Sequence, residues 1–278
     1  LPELPEVETV CRGLNQLTLD SEIQGAEVLL PRTLAYPVSS QQFLKEIQGQ
    51  KIAFWSRRGK YLLAHLQGNK AFLGVHLRMT GQLLWLSHDF PLHKHSRIRL
   101  FFAHGQELRF VDTRTFGKMW WINGQAPETV ISGLQKLGPE PFDTSFTENY
   151  LAQKLQKSKR LLKTLLLDQE LVAGIGNIYA DEALFVSGIH PQAIASNLSS
   201  TQIKKLRQAI IEVLEKAIAS GGTTFSDFLQ VTGVNGNYGG VAWVYGRTGK
   251  PCRVCNTVIE KIKIGGRSSH FCPNCQVL

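Results

Sequence analysis

The 278 residues combine an apolar fraction of 43% with a charged fraction of 19%, a balance that builds a folded core and excludes a disordered chain. No run of ~18 apolar residues offers a membrane-spanning helix, so no membrane partner is expected. Thirty-one Lys and Arg against 22 Asp and Glu leave a net charge of +9, which favours a polyanion without choosing between DNA, RNA and an anionic surface.

Residues 5–17 place Val7, Val10, Cys11, Leu14 and Leu17 at helical spacing behind Pro5, which suits a first turn. An amphipathic helix is predicted there, with Cys11 as a buried member. Residues 1–17 lack the basic segment and long apolar stretch of a secretory signal, and the expected compartment is the cytosol. From about 50 to 123 the pattern becomes short runs rich in aromatic and β-branched residues: YLLAHL, AFLGVHLRM, GQLLWL, RIRLFFA, ELRFVD and KMWWI. Turn residues separate them, which predicts a β-sandwich or barrel. The Pro- and Gly-containing stretch from Gly124 to Asp143 then separates this region from a helical half. In it, Ile203, Leu206, Ile210, Leu214 and Ile218 line one face of a helix that Gly221–Gly222 stops. Residues 231–249 are dense in glycine and read as a mobile loop more than as a core element. The division expected is 1–130, a linker over 131–143, a helical region over 144–242, and a C-terminal module over 243–278.

Cys252, Cys255, Cys272 and Cys275 form C-x2-C-x16-C-x2-C. Two close pairs of thiolates can close a tetrahedral shell around one zinc ion, and four protein ligands leave no position for water, so the site is expected to be structural. Between the pairs, TVIEKIKIGGRSSHF alternates on both sides of Gly265–Gly266 and predicts a β-hairpin. Arg267 lies just beyond its turn, where a planar guanidinium can reach a phosphate.

The chain opens LPELPEVETVCRGL. With the first residue removed, Pro2 presents a secondary amine that titrates near ~8, against ~10.4 for a lysine, so a useful fraction is nucleophilic at neutral pH. Attack on a sugar C1′ would expel a base and form an iminium, with Glu3 as general acid and base. The same residues also fit an ordinary helix start, in which Pro5, Glu6 and Glu8 suit the positive end of the dipole.

This opening, RRGKYLL at 57–63, HLRMTG at 76–81, DTRTFG at 112–117, GIGNIYADE at 174–182 and the four-cysteine hairpin together resemble the formamidopyrimidine-DNA glycosylase family. The match runs from end to end in the same order. The resemblance implies an α+β multidomain chain: an N-terminal β-sandwich with an N-terminal helix, a helical helix-two-turn-helix domain, and a C-terminal zinc β-hairpin. It implies a monomer acting on damaged double-stranded DNA, in the bacterial cytoplasm beside the nucleoid. It assigns Pro2 as the Schiff-base nucleophile, Glu3 as the proton donor for base release, Lys60 to β-elimination and Arg267 to δ-elimination. Without it, Lys60 reads as an exposed strand residue. His95, Arg114 and Asn177 match DNA-contacting positions, and Asn177 also suits a plain helix cap. Met79, Arg114 and Phe116 match the residues that fill the space left by an extruded nucleotide. Residues from about Ser226 to Tyr245 would form a lid over the flipped base.

Three positions depart from the family pattern. Leu1 stands where the family begins with Met, and with Leu1 attached the nitrogen of Pro2 is a tertiary amide. The expectation is an alternative start codon read as Met in the cell and then removed. Thr115 stands where many relatives carry arginine, and Ser158 falls at a DNA-contacting lysine, for which Lys159 is favoured over Lys157 as substitute. Two other functions fit parts of the sequence: a non-catalytic zinc-dependent nucleic-acid-binding protein, and an endonuclease VIII-like glycosylase acting on oxidised pyrimidines.

Overall fold

In the computed structural model, which describes residues 2–68, 70–223, 231–232 and 236–278, the first periodic segment is helix α1 (Leu4–Thr18), with Pro5 in its first turn. Its apolar stripe of Val7, Val10, Cys11 and Leu14 is buried in one core with the strands that follow. Residues 19–49, for which the sequence reading named no element, add strand β1 (Gly25–Val28), strand β2 (Leu34–Tyr36) and helix α2 (Ser40–Ile47). Next comes β3 (Ile52–Arg58), and the predicted apolar runs become β4 (Tyr61–Leu66), β5 (Ala71–His76), β6 (Gly81–Ser87), β7 (Ser96–Phe102), β8 (Gln106–Asp112) and β9 (Lys118–Asn123). They form two sheets, of order β1-β7-β8-β6 and β2-β9-β5-β4-β3, whose facing apolar side chains make the sandwich core.

β3 is the free edge of the larger sheet, and an exposed edge invites pairing with other chains. Helix α1 covers it. The Asn15 side chain accepts the Trp55 N–H at 2.8 Å and donates to the Trp55 carbonyl at 2.8 Å, so one amide satisfies both backbone groups that a further strand would have used. In the smaller sheet, β8 is buried over nearly its whole length although it carries Glu107 and Arg109. Those charges pair with each other and with Arg99, and Arg109 donates to the carbonyls of Phe90 and Pro91, which satisfies its desolvated guanidinium. Two four-residue helices, α3 (Pro127–Val130) and α4 (Ser132–Gln135), end this part of the unit.

The second unit contains helices α5 (Glu148–Gln156), α6 (Leu162–Leu166), α7 (Asn177–Ser187) and α8 (Ser200–Ala219) and the hairpin of β10 (Glu260–Ile264) and β11 (Arg267–Phe271). Helix α7 is buried on almost every side although it carries Asp181 and Glu182. Helix α8 is amphipathic and begins in a capping box of Ser199 and Gln202. Strands β10 and β11 pair antiparallel with Ile264 opposite Arg267, and Gly265 and Gly266 make the turn with φ of +54° and +79°, values that suit residues without a side chain.

The structure differs from three expectations. The two units are Leu1–Gln135 with Gly221–Asn237, and Lys136–Ser220 with Tyr238–Leu278, so the stretch after α8 leaves the helical region and the zinc hairpin joins it. Val231 explains the first change, because it is 1% exposed within the sandwich core and its carbonyl accepts the Trp85 N–H. The linker expected over 131–143 contains α4. The glycine-rich stretch is not simply a loop: Tyr238, Ala242 and Val244 are buried, and Val244 packs with Phe185, Cys252, Ile259 and Cys272. Of the lid expected over 226–245, residues 226–230 and 233–235 lie outside the described residues, as does Leu1.

Candidate catalytic terminus, nucleic-acid contacts and zinc site

Pro2 and Glu3 are both buried at the head of α1, where Glu3 is the N-cap. Glu6, 1% exposed, braces this end in two directions: one carboxylate oxygen accepts the Glu3 N–H at 2.8 Å and the other the Thr223 N–H at 2.8 Å. The sequence reading treated Glu6 as a dipole-favoured acid only. Its bond to a residue so distant in sequence has no local signal.

Lys60 is half-buried in the two-residue turn Gly59–Lys60 that joins β3 to β4, not within a strand. Beside it lies His76, opposite Tyr61 in the β4–β5 pairing and in edge contact with its ring at 4.5 Å. Burial, with the charges of Arg78 and Lys60, pushes the His76 imidazole down to about 3, so the ring is neutral. Its Nδ1 accepts the Arg78 N–H at 3.0 Å, which leaves Nε2 as the donor nitrogen. Reading HLRMTG for its methionine passed over this histidine.

The two segments holding Met79, Arg114 and Phe116 share one hydrogen-bond network. Asp112, 1% exposed, accepts the Thr80 hydroxyl and the N–H groups of Arg114 and Gly117, the last at 2.7 Å. Thr80 Oγ1 in turn accepts the Arg114 N–H at 3.0 Å. A Cβ at Gly117 would stand 2.5 Å from the Phe110 ring, so only glycine lets the loop close over Asp112. The network presents Phe116 half exposed, with the Arg114 guanidinium 5.1 Å from its ring centroid, a cation–π pairing. Met79 is half-buried. The His95 carbonyl accepts the Asp112 N–H, and the His95 ring bonds Arg97 at 2.9 Å. Partial desolvation and the charges of Arg97 and Lys94 hold that ring below the usual histidine range. Thr115, the departure from the family pattern, has φ +59° and accepts from Arg32 at 2.6 Å.

In the second unit, Gln169 shapes the approach to α7: its side chain accepts the Gly174 N–H at 3.0 Å and donates to the Ile175 carbonyl at 2.8 Å. Gly176 is the N-cap, so Asn177 is not the cap. The Asn177 side-chain amide instead donates to the Ser268 carbonyl at 2.9 Å, while its buried Oδ1 has no hydrogen-bond partner among the described residues. Asn177 thereby ties the start of α7 to the strand that begins with the exposed Arg267. Below it, fully buried Asp181 pairs with fully buried Lys163 and accepts the His270 N–H at 3.0 Å and contacts its ring at 3.1 Å. Glu182, also fully buried, accepts the N–H groups of Trp243, Val244 and Tyr245 and contacts the Tyr238 hydroxyl. Burial raises its pKa against those four hydrogen bonds. Both acids sit in GIGNIYADE, where helical periodicity alone gives an acid no buried partner. Lys157 and Lys159 are both exposed after α5.

The four cysteine sulfurs lie within 4.8 Å of one another. Cys252 and Cys275 are 3.9 Å apart and Cys255 and Cys272 3.4 Å apart, near the ~3.8 Å edge of a tetrahedron with ~2.3 Å zinc–sulfur bonds. Two N–H groups, of Val254 and Cys275, point at the sulfurs of Cys252 and Cys272 at 3.4 Å, which suits thiolates. The donor set fits one structural zinc ion.

Two β-sheets with an N-terminal helix, a helical unit and a four-thiolate hairpin define an α+β protein of the kind that carries a helix-two-turn-helix and a zinc finger. Residues 1–119 match the formamidopyrimidine-DNA glycosylase N-terminal domain, 137–228 its H2TH domain, and 249–277 the zinc finger found in FPG and IleRS. The formamidopyrimidine-DNA glycosylase of Crocosphaera subtropica is 64% identical, over 100% of this chain and 99% of its own length. Lactococcus lactis Fpg in complex with DNA containing an abasic site is 39% identical with a TM-score of 0.91, covering 99% of each chain. The same protein with DNA containing Fapy-dG matches with a TM-score of 0.90 at 39% identity, again over 99% of each. The chain belongs to the formamidopyrimidine-DNA glycosylase family.

Proposed function

We propose that the protein excises oxidised purines, 8-oxoguanine and formamidopyrimidines, from duplex DNA and then cleaves the abasic strand. The observation that carries this reading is the head of α1, where Pro2 and Glu3 are buried side by side and Glu6 fixes the backbone between them. Once Leu1 is removed, the freed Pro2 nitrogen attacks C1′, losing its own proton, and the base leaves with the glycosidic electron pair, taking a proton from Glu3. Protonation of O4′ then opens the sugar, the C1′–O4′ pair leaving on oxygen as the nitrogen lone pair forms the C1′=N bond. This iminium carries the sugar through β-elimination, served by Lys60, and δ-elimination, served by Arg267. Met79, Arg114 and Phe116 fill the space of the extruded nucleotide, while His95, Asn177 and Lys159 contact the backbone. Bound zinc supplies no chemistry and stabilises the hairpin.

The protein acts as a monomer on damaged double-stranded DNA, in the cytoplasm of a bacterium. In support of a non-membrane site, no helix among the described residues is long and apolar enough to cross a membrane.

Borohydride trapping on duplexes containing 8-oxoguanine or thymine glycol tests the reading. A covalent adduct on the oxidised purine, absent in Pro2→Gly, is expected, and Glu3→Gln should stop base excision while duplex binding survives. Salt-sensitive binding without an adduct would make the protein a binder only, and preference for thymine glycol would make it pyrimidine-directed.

A further inference from the structure

Glu8 and Arg57 join the two backbone segments that carry Pro2 and Lys60. Glu8 lies on α1 behind Pro2 and Glu3, and its Oε2 accepts from Arg57 Nε at 2.8 Å. The same guanidinium donates through Nη1 to the Gly59 carbonyl at 3.1 Å, the oxygen of the Gly59–Lys60 peptide. One planar, two-pronged donor therefore spans from the N-terminal helix to the turn holding Lys60, which a lysine in its place cannot do. The Arg57 side chain is 9% exposed. Arg12, the other partner of Glu8 at 2.8 Å, is 63% exposed and makes no such link.

A desolvated ion pair adds little to stability compared with apolar packing. The contact between α1 and β3 does not depend on it, since Val7, Val10, Cys11 and Leu14 are in the core and Asn15 clamps Trp55. What the pair adds is direction, because it fixes the height of the Lys60 turn relative to the head of the helix. We infer that Glu8 and Arg57 are positioning residues for the elimination step, holding the Lys60 turn in register with the N-terminal amine. This inference rests on the proposed roles of Pro2 and Lys60. In that step a base takes the C2′ proton, the C–H electron pair becomes the C2′–C3′ double bond, and the 3′ phosphate departs with the C3′–O pair. A base displaced by an ångström loses rate steeply, whereas iminium formation at Pro2 is untouched.

Single-turnover kinetics on a preformed abasic-site duplex separate the two events. Borohydride trapping reads iminium formation, and strand cleavage reads elimination. Arg57→Met is expected to slow cleavage on the order of tenfold, the scale of one lost charged hydrogen bond, with trapping rate and duplex Kd within about twofold. Arg57→Lys, which keeps the charge and one bond, should fold normally and fall between. Glu8→Gln should shift the cleavage defect in the same direction, while Arg12→Gln should leave both rates unchanged. Equal loss of trapping and cleavage in step with a lowered Tm would make the pair merely structural, and unchanged cleavage in both Arg57 variants would also overturn the inference. Failure of the broader reading looks different: the unmodified protein itself would then give no trapped adduct.

Discussion

Two β-hairpins each carry a cation at the tip, Lys60 between β3 and β4 and Arg267 after the turn of β10 and β11, and they are held by opposite means. The first belongs to a five-stranded sheet, where Leu62, Ala64, Leu73 and Val75 supply the apolar core that carries its stability and the Glu8–Arg57 pair only sets the position of its turn. The second is a two-stranded ribbon, too small to bury enough apolar surface by itself. Its place is taken by four thiolates at one end and the Lys163–Asp181–His270 network beside β11. A tip supported by packing is specified by shape, and a tip supported by ligands and charges is specified by chemistry. Their sensitivities should therefore differ.

The largest expected effect is loss of the metal. Structural zinc in such modules is worth about 10–16 kcal/mol of apparent binding energy, so a strong chelator or Cys272→Ser should abolish amide exchange protection over 260–271. Protection over 61–66 should persist, and its simultaneous loss would erase the contrast. Next, Asp181→Ala removes the carboxylate paired with buried Lys163 and should destabilise the second unit by about 3–5 kcal/mol, read from urea unfolding. Leu62→Ala, at a position 0% exposed, should cost about 2–5 kcal/mol through the cavity it leaves, seen as a lower Tm of the sandwich with hairpin protection over 260–271 retained.

The smallest effect at neutral pH, and the sharpest probe of the first hairpin, is titration of His76. Its folded pKa of about 3 lies below the ~6.5 of the unfolded chain, so the unfolded state binds the extra proton between those values. The stability it contributes is complete above ~6.5 and declines as pH falls toward 3, with a slope of about 1.4 kcal/mol per pH unit. His76→Gln should flatten that slope in acid-unfolding curves, and an unchanged slope would show that His76 titrates alike in the folded and unfolded chain.

Much of this was legible in the residues. The apolar runs from 61 to 122 gave the strands within about three residues, because alternation over a half-buried sheet leaves a period in the sequence. The turn at Gly265–Gly266 and the two thiol pairs announced the hairpin and its ion. The small strands β1 and β2 were not legible, since each is held by pairing with a distant partner, β7 and β9, and has no period of its own. Lys60 was mistaken for a strand residue because a two-residue turn leaves little trace between two apolar runs. The burial of Tyr238 and Val244 was missed because glycine density dominates that stretch, while Glu182, which collects its N–H groups, lies far away in the sequence.

The sequence by itself determined the α+β class, the order of the elements, the four zinc ligands and the resemblance that points to Pro2 and Glu3. Only the tertiary structure decided that Glu6 reaches Thr223, that Asp112 binds the Met79 and Arg114 segments together, that Asn177 holds Ser268, and that Arg57 bridges Glu8 to the Lys60 turn. The physical reason is one of range. Periodicity and ligand spacing are local properties written in neighbouring residues, whereas a buried carboxylate or guanidinium takes its partners from whatever the fold brings within about 3 Å.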